Sequence, residues 1–429
     1  MSQDKLSNDE KMQKYIDHYL NKSIKTTIVN PELEVRFGTI SKNKNSKITK
    51  NDFNNVMQKL TNCGFVCMNN DGDYTLKVSY DYTNKEGKKF QSNVRLEINS
   101  LHTIESYCEK ENINLLLQEA SHRKNILMTK KAFAKDEEGE TFKPINVDNY
   151  NFRMSYQIET EMDLQTPFIV SVFKRWDEVE KLYRYIKRFR FKHESMPIFV
   201  DLSIVKTNSF TKTKPYYMKK AYVLADSNVF NNLESYEIEI EVDNESEHLK
   251  KDLFMDLKKT IKYVLCGIQN TNYPIGYKEM DEVSKQYLEL LHLKKEIHPS
   301  DFIGPNSYTL QLKNVINFEE ELTTPSILKN YTVTDKADGE RHLLYINGDG
   351  LIFLIDTNMR FIMSGSVTKE NKIKNTILDG ELITHNKHGK FVNLFAAFDV
   401  YIVNKKNVKS LIFTNVEREG KTRLNILNQ

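Results

Sequence analysis

Two residue patterns in this chain could do chemistry: carboxylates repeated at two-residue spacing, and a lysine followed closely by an aspartate-glycine pair and an arginine. In "ELEVRFG" (32–38) the strand period puts Glu32, Glu34 and Arg36 on one face and Leu33, Val35 and Phe37 on the other. "YEIEIEV" (236–242) likewise puts Glu237, Glu239 and Glu241 on one face. Like charges spaced about 7 Å apart along a strand repel. A divalent cation relieves that repulsion, and carboxylate oxygens are the natural ligands of Mg²⁺ or Mn²⁺. A solvated outer sheet face is the competing explanation.

Basic residues show the same alternation. Arg184, Arg188, Arg190 and Lys192 share a face in "RYIKRFRFK" (184–192), Arg153 and Glu159 in "FRMSYQIET" (152–160), and Arg95 and Glu97 in "NVRLEI" (93–98). If such strands close into a barrel with their charged faces inward, acidic walls would hold metal and basic walls a polyanion. That arrangement suits a triphosphate: metal polarises the terminal phosphorus while arginines neutralise its equatorial oxygens. In "KADGER" (336–341) Asp-Gly between apolar runs is a common turn pair. The chemical alternative makes Lys336 a nucleophile toward an α-phosphorus, with Asp338 and Gly339 forming the turn that presents it. Arg341 would then hold ribose or phosphate with its planar fork.

The ordered pair "ELEVRFG" and "YEIEIEV" resembles the glutamate strands of the triphosphate tunnel metalloenzymes, specifically the RNA triphosphatases of large DNA viruses and fungi. The resemblance implies Glu32, Glu34, Glu237 and Glu239 as metal ligands, with Glu241 a further candidate. It also implies Arg188, Arg190 and Lys192 on the phosphates, and Arg95 and Arg153 as additional tunnel arginines. The strand "FVDLSIVK" departs from the pattern, because Phe199 stands where a basic residue is expected, two positions before Asp201.

Lys336-x-Asp338-Gly339-x-Arg341 resembles the first motif of the covalent nucleotidyltransferases, which include capping guanylyltransferases and polynucleotide ligases. "LDGELI" (378–383) and "FAAFDVYIV" (395–403) resemble later motifs, which implies Glu381 on ribose or metal, Phe398 stacked on the base and Asp399 near the metal. "FIGPNSYTLQL" (302–312) is similar to the lead-in of viral capping enzymes. Together these resemblances imply an mRNA capping enzyme of the large-DNA-virus type. Its first domain would remove the γ-phosphate of 5′-triphosphate RNA with Mg²⁺ or Mn²⁺, and its second would transfer GMP from GTP through a lysyl-GMP intermediate. The family's final motifs are not found before Gln429. The second domain is therefore expected to be truncated, in the front part of a longer protein that a cap methyltransferase domain or subunit could follow.

The elements that must position these residues are legible as periods. Residues 8–20 and 50–61 have helical spacing, the carboxylate and basic segments have strand spacing, and two helices are expected within 245–300. The expected architecture is α+β. An antiparallel β-barrel domain with flanking helices occupies 1–244, a helical connector 245–300, and the N-terminal part of a nucleotidyltransferase domain 301–429. The net charge of +3 makes global attraction to nucleic acid weak, so RNA contact must come from local basic stripes. No apolar run approaches the ~20 residues that span a bilayer, and the N-terminus has neither a signal-peptide core nor transit-peptide bias. An intracellular location is expected, in virion or host-cell cytoplasm by the family resemblance. Four cysteines at spacings that fit no zinc or redox motif read as reduced thiols, and Trp176 reads as a packing residue. The alternatives are an ATP-dependent RNA or DNA ligase, which does not need the carboxylate strands, and a non-catalytic RNA-binding protein on a degenerate nucleotidyltransferase fold.

Overall fold

Alternating polar and apolar residues build ten strands in the first part of the chain: β1 (Val29–Phe37), β2 (Phe65–Cys67), β3 (Asp73–Thr83), β4 (Lys89–Asn99), β5 (Ile126–Phe133), β6 (Ile145–Val147), β7 (Phe152–Met162), β8 (Lys181–His193), β9 (Ile198–Thr207) and β10 (Ser235–Val242). Eight of them pair in the order β1-β10-β9-β8-β3-β4-β5-β7, and β7 returns to β1 through nine antiparallel residue pairs from Val29↔Thr160 to Phe37↔Phe152. The result is the expected antiparallel barrel, closed and without a free edge. Short strands β2 and β6 pair with β8 and β7. The structure, a computed structural model, describes residues 6–22, 29–38, 47–83, 88–212, 217–249, 252–293, 295–316, 326–328, 331–414 and 421–429.

The barrel is packed from outside. Leu33, Val35 and Phe37 of β1 and Ile238 and Ile240 of β10 are buried against helices Asn8–Lys22, Lys50–Asn62 and Leu253–Ile268. On another part of the wall, Leu76, Val78, Leu96, Ile98 and Met128 of β3, β4 and β5 pack with residues of helices Leu101–Lys110, Ile113–Gln118 and Pro167–Lys174 and with Trp176. Each such buried aliphatic side chain contributes about 1.5–3 kcal/mol. As expected, Trp176 is a packing residue: its indole Nε1 donates to Tyr107 Oη at 2.9 Å inside this core. All four cysteines are free thiols.

The chain divides into two compact units, Met1–Asn270 and Thr271–Gln429. The two helices expected within 245–300 are present, but they do not make a separate body. Helix Leu253–Ile268 packs into the first unit's core, and helix Tyr277–Leu290 supplies Val283 and Tyr287 to the second's. The second unit is a six-stranded antiparallel sheet of β11 (Glu340–Ile346), β12 (Leu351–Ile355), β13 (Phe361–Val367), β14 (Thr376–His385), β15 (Phe391–Val403) and β16 (Lys406–Asn407), in the order β13-β12-β11-β14-β15-β16. Among the described residues no helix is long and apolar enough to cross a membrane.

Gly267 is where helix Leu253–Ile268 closes against helix Lys50–Asn62. A Cβ at this position would lie 2.6 Å from the Val56 Cα, so the facing helix backbone leaves no room for a side chain. Gly267→Val is expected to force the two helices apart and cost about 1–3 kcal/mol, the usual penalty of overpacking, read as a lower urea midpoint.

Candidate functional site

Directly paired residues of neighbouring strands lie on one face of the sheet, so the registers show what the barrel encloses. Glu34 pairs with Glu241, Arg36 with Glu239, Glu239 with Asp201, Asp201 with Arg190, and Ser203 with Arg188. The ring continues through Lys77 with Arg184, Glu97 with Lys77, Thr129 with Arg95 and Glu159 with Lys131, and returns through Gln157 with Glu32. With most apolar partners facing the outer cores, the interior is lined mainly by polar and charged side chains. Glu32, Glu34, Glu237 and Glu239 therefore share the tunnel with Arg95, Arg188, Arg190 and Lys192.

Inside, the charges form a lattice. Across β9, four cations of β8 meet four carboxylates on or just after β10: Arg184 with Glu237 at 2.8 Å, Arg188 with Glu239 at 3.5 Å, Arg190 with Glu241 at 2.6 Å, and Lys192 with Asp243 at 3.0 Å. Between them Asp201 accepts from Arg190 at 2.7 and 2.8 Å and pairs with Arg188 at 3.2 Å. Arg36 Nε donates to Glu239 Oε1 at 2.6 Å. Arg95 bridges Glu97 at 2.6 Å and Glu159 at 2.8 Å, Lys77 sits 3.2 Å from Glu97, and Lys131 pairs with Glu32. Phe199 has an electrostatic role of its own, since its ring lies 4.6 Å from the Arg190 guanidinium and 5.2 Å from the Lys192 ammonium. Arg153 shares the tunnel face with Arg36 but donates to Asn146 Oδ1 at 2.8 Å, and pairs with no carboxylate among the described residues.

These surroundings separate the carboxyl groups. Burial disfavours charge on Glu239, yet Arg36 and Arg188 overcome it and hold the group at about 2. Burial likewise opposes charge on Glu97, and Lys77 and Arg95 bring it down to about 2. Burial, then the hydrogen bond and charge of Glu32, push Glu159 up to about 7. Burial raises Glu241 to about 7 despite Arg190. Burial also raises Glu34, beside Glu239 and Glu32.

Among the described residues no group of three or more His, Cys, Asp or Glu side chains is gathered as a metal cluster. The physical reason is the lattice itself: neighbouring cations hold Glu32, Glu237 and Glu239. Glu34 differs, making no hydrogen bond or ion pair with any described residue, and burial raises its carboxyl above the ordinary carboxylate range. Carboxylate oxygens are the donor type that a hard divalent cation takes. Lys77 and Lys131, the cations closing the wall opposite β10, were not read from the sequence. The strand alternation of "YTLKVSY" and "ILMTKKAF" carries their signal.

In the second unit, residues 331–338 lack regular structure and a bend at Gly339 leads into β11. The Lys336 ammonium is solvent-exposed and 3.1 Å from Asp338 Oδ1. Gly339 lets this loop meet β14, because a Cβ there would lie 2.7 Å from the Leu382 carbonyl and 3.2 Å from the Glu381 Cβ. Glu381 is the cross-strand partner of Arg341, and its Oε2 is buried without a hydrogen-bond partner among the described residues. Arg341, expected on ribose or phosphate, donates to fully buried Asp379 at 2.6 and 3.1 Å and lies over Phe302 (5.3 Å) and Phe398 (6.0 Å). Tyr401 Oη donates to the same carboxylate at 2.6 Å. Asp399, expected near metal, accepts hydrogen bonds from Arg423 at 2.8 and 3.1 Å. Asp379 carries no chemical pattern of its own in the sequence. Its only signal was its place inside "LDGELI".

The tunnel lattice predicts the acid limb of stability. Glu97 has a folded pKa lowered from its ordinary value of 4.5 to about 2, so its contribution is complete above about 4.5 and lost as pH falls toward 2. Unfolding monitored by circular dichroism between pH 5 and 2 is expected to show that loss, with a shallower slope in Glu97→Gln.

Residues 316–428, which include Lys336, Arg341 and Glu381, match the family model described as "mRNA capping enzyme, catalytic domain". A protein of Acanthamoeba polyphaga mimivirus described as "Probable mRNA-capping enzyme" is 31% identical over 166 residues, which is 39% of this chain and 12% of that relative's length. Among solved structures, the mimivirus capping enzyme triphosphatase is 14% identical with a TM-score of 0.33, over 60% of this chain and 98% of the other. The S. pombe Pct1 RNA triphosphatase is 14% identical with a TM-score of 0.31, over 60% and 91%. The chain thus bears the likeness to mRNA capping enzymes of large DNA viruses that its motifs imply.

Proposed function

We propose that this chain acts in mRNA 5′ capping, its barrel hydrolysing the γ-phosphate of 5′-triphosphate RNA and its second unit belonging to the GMP-transfer step. The observation that carries this reading is the tunnel: acidic β1 and β10 meet basic β8 across β9, enclosed in one closed barrel. Arg188, Arg190 and Lys192 would take the phosphate oxygens, exchanging carboxylates of the same protein for those of the substrate. Glu32, Glu34, Glu237 and Glu239 would hold Mg²⁺ or Mn²⁺, which when bound supplies Lewis-acid polarisation of the phosphoryl group. Water adds to the γ-phosphorus, its bond to the β–γ bridging oxygen breaks, and diphosphate-ended RNA and inorganic phosphate leave.

Glu34 gives the cleanest test, because removing it orphans no cation among the described residues. Glu34→Ala is expected to keep the fold and lose on the order of 10²-fold in divalent-dependent phosphate release from 5′-triphosphate RNA. Full activity in this variant sinks the tunnel assignment.

For the second unit, Lys336 Nζ would attack the α-phosphorus of GTP and release pyrophosphate, leaving GMP on the lysine before its transfer to the RNA diphosphate. The loop's approach to Glu381, whose buried oxygen has no partner among the described residues, supports a nucleotide at that place. With radiolabelled nucleotides, a protein containing this domain and its family's later motifs is expected to form a covalent adduct from GTP that Lys336→Ala abolishes. An adduct formed from ATP alone would assign the domain to a ligase.

A further inference from the structure

Because neighbours in the closed barrel are antiparallel, one mouth carries the C-terminal ends of β1, β3, β5 and β9 and the N-terminal ends of β4, β7, β8 and β10. The two mouths differ in charge. Near this one the tunnel face ends in Arg36, Arg153 and Arg184, of which Arg36 and Arg184 are paired with Glu239 and Glu237 while Arg153 meets no carboxylate among the described residues; near the other it ends in Asp73, Glu161 and Asp243, of which Asp243 is neutralised by Lys192.

The basic mouth is also rimmed by aromatic side chains left in solvent: Tyr82 is 47% exposed, Phe90 38%, Phe133 40% and Phe210 57%. Tyr82 and Phe90 are cross-strand partners where the β3–β4 hairpin leaves the barrel, with ring centroids 5.9 Å apart and planes 28° from parallel. The Lys88 ammonium lies 5.3 Å from the Phe90 centroid. Phe133 pairs with Gln157, the partner of Glu32, so it stands on the tunnel face itself, two residues from the Lys131 that binds Glu32. Apolar rings with no core to enter are costly to leave in water, and rings interleaved with cations beside a polyanion site are the recognised platform for unpaired bases.

We propose that single-stranded RNA enters through this mouth, its first bases stacked on Tyr82, Phe90, Phe133 and Phe210 while the triphosphate reaches the tunnel. This rests on the triphosphatase reading and adds to it which end of the barrel meets RNA and what holds the chain beyond the phosphates. A residue step of two along β5 covers about 7 Å, close to one extended nucleotide, so Phe133 is spaced to meet the first base behind a phosphate chain held by the inner wall.

The test compares three proteins in two assays: the full chain, its Phe90→Ala/Phe133→Ala variant, and Met68→Ala, an exposed side chain at the opposite mouth. In the first assay the ratio of KM for a 5′-triphosphate RNA decamer to KM for ATP is expected to rise about tenfold in the double variant and to stay at the parent value in Met68→Ala. In the second, fluorescence anisotropy with a labelled 5′-hydroxyl RNA decamer is expected to show about tenfold weaker binding in the same variant only. An unchanged ratio together with unchanged anisotropy, or equal effects from Met68→Ala, overturns the assigned mouth. Absence of phosphate release from either substrate in the parent protein would count against the triphosphatase reading alone, because the anisotropy measurement still decides where RNA binds.

Discussion

Arg36, Arg188 and Arg190 hold Glu239, Asp201 and Glu241 inside a closed wall, and the first domain is organised around keeping those charges compensated. Removing one of these cations strands a carboxylate that is largely withdrawn from solvent, so the lattice tolerates few changes. It also explains the unusual placement of the cores. A barrel whose interior is ionic gains no hydrophobic stabilisation there, and the outer faces must supply it. Helices Asn8–Lys22, Lys50–Asn62 and Leu253–Ile268 cover one part of the wall, and the short helices between Leu101 and Lys174 cover another.

The same lattice accounts for how the tunnel can be poised yet stable without a ligand. Arg188 reaches both Asp201 and Glu239, and Arg190 both Asp201 and Glu241, so each cation is shared between two carboxylates and does not depend on one partner. Phe199 fits this scheme. An aromatic face stabilises Arg190 and Lys192 without adding a charge that would need its own partner. The second unit applies the principle where Asp379, fully buried on β14, the strand that carries Glu381, is held by Arg341 and Tyr401, and where Asp399 is held by Arg423.

Much of the barrel was legible because its strands alternate strictly. "ELEVRFG", "RYIKRFRFK" and "YEIEIEV" each put charge on one face and apolar residues on the other, and all three are tunnel strands. β3 and β5 follow the same rule but sit among aromatic and mixed segments, and they were not singled out, so Lys77 and Lys131 were missed with them. Helix Leu253–Ile268 and helix Tyr277–Leu290 were legible as helices, but their assignment to different units was not, since an apolar stripe does not say which core it will cover.

The sequence by itself determined which side chains share a face, because the period of two is a property of the local backbone. It also placed Lys336, Glu381 and Phe398 in an order that matches a capping-enzyme domain. Only the tertiary structure decided that the charged faces turn inward. That choice depends on β7 pairing back to β1 across more than a hundred residues and on helices covering the outside, neither of which leaves a local trace. It also decided which cation meets which carboxylate, and so why Glu239 stays ionised while Glu159 and Glu241 are raised. Pairing across a barrel is set by strand register and stagger, and those are fixed only when the sheet closes.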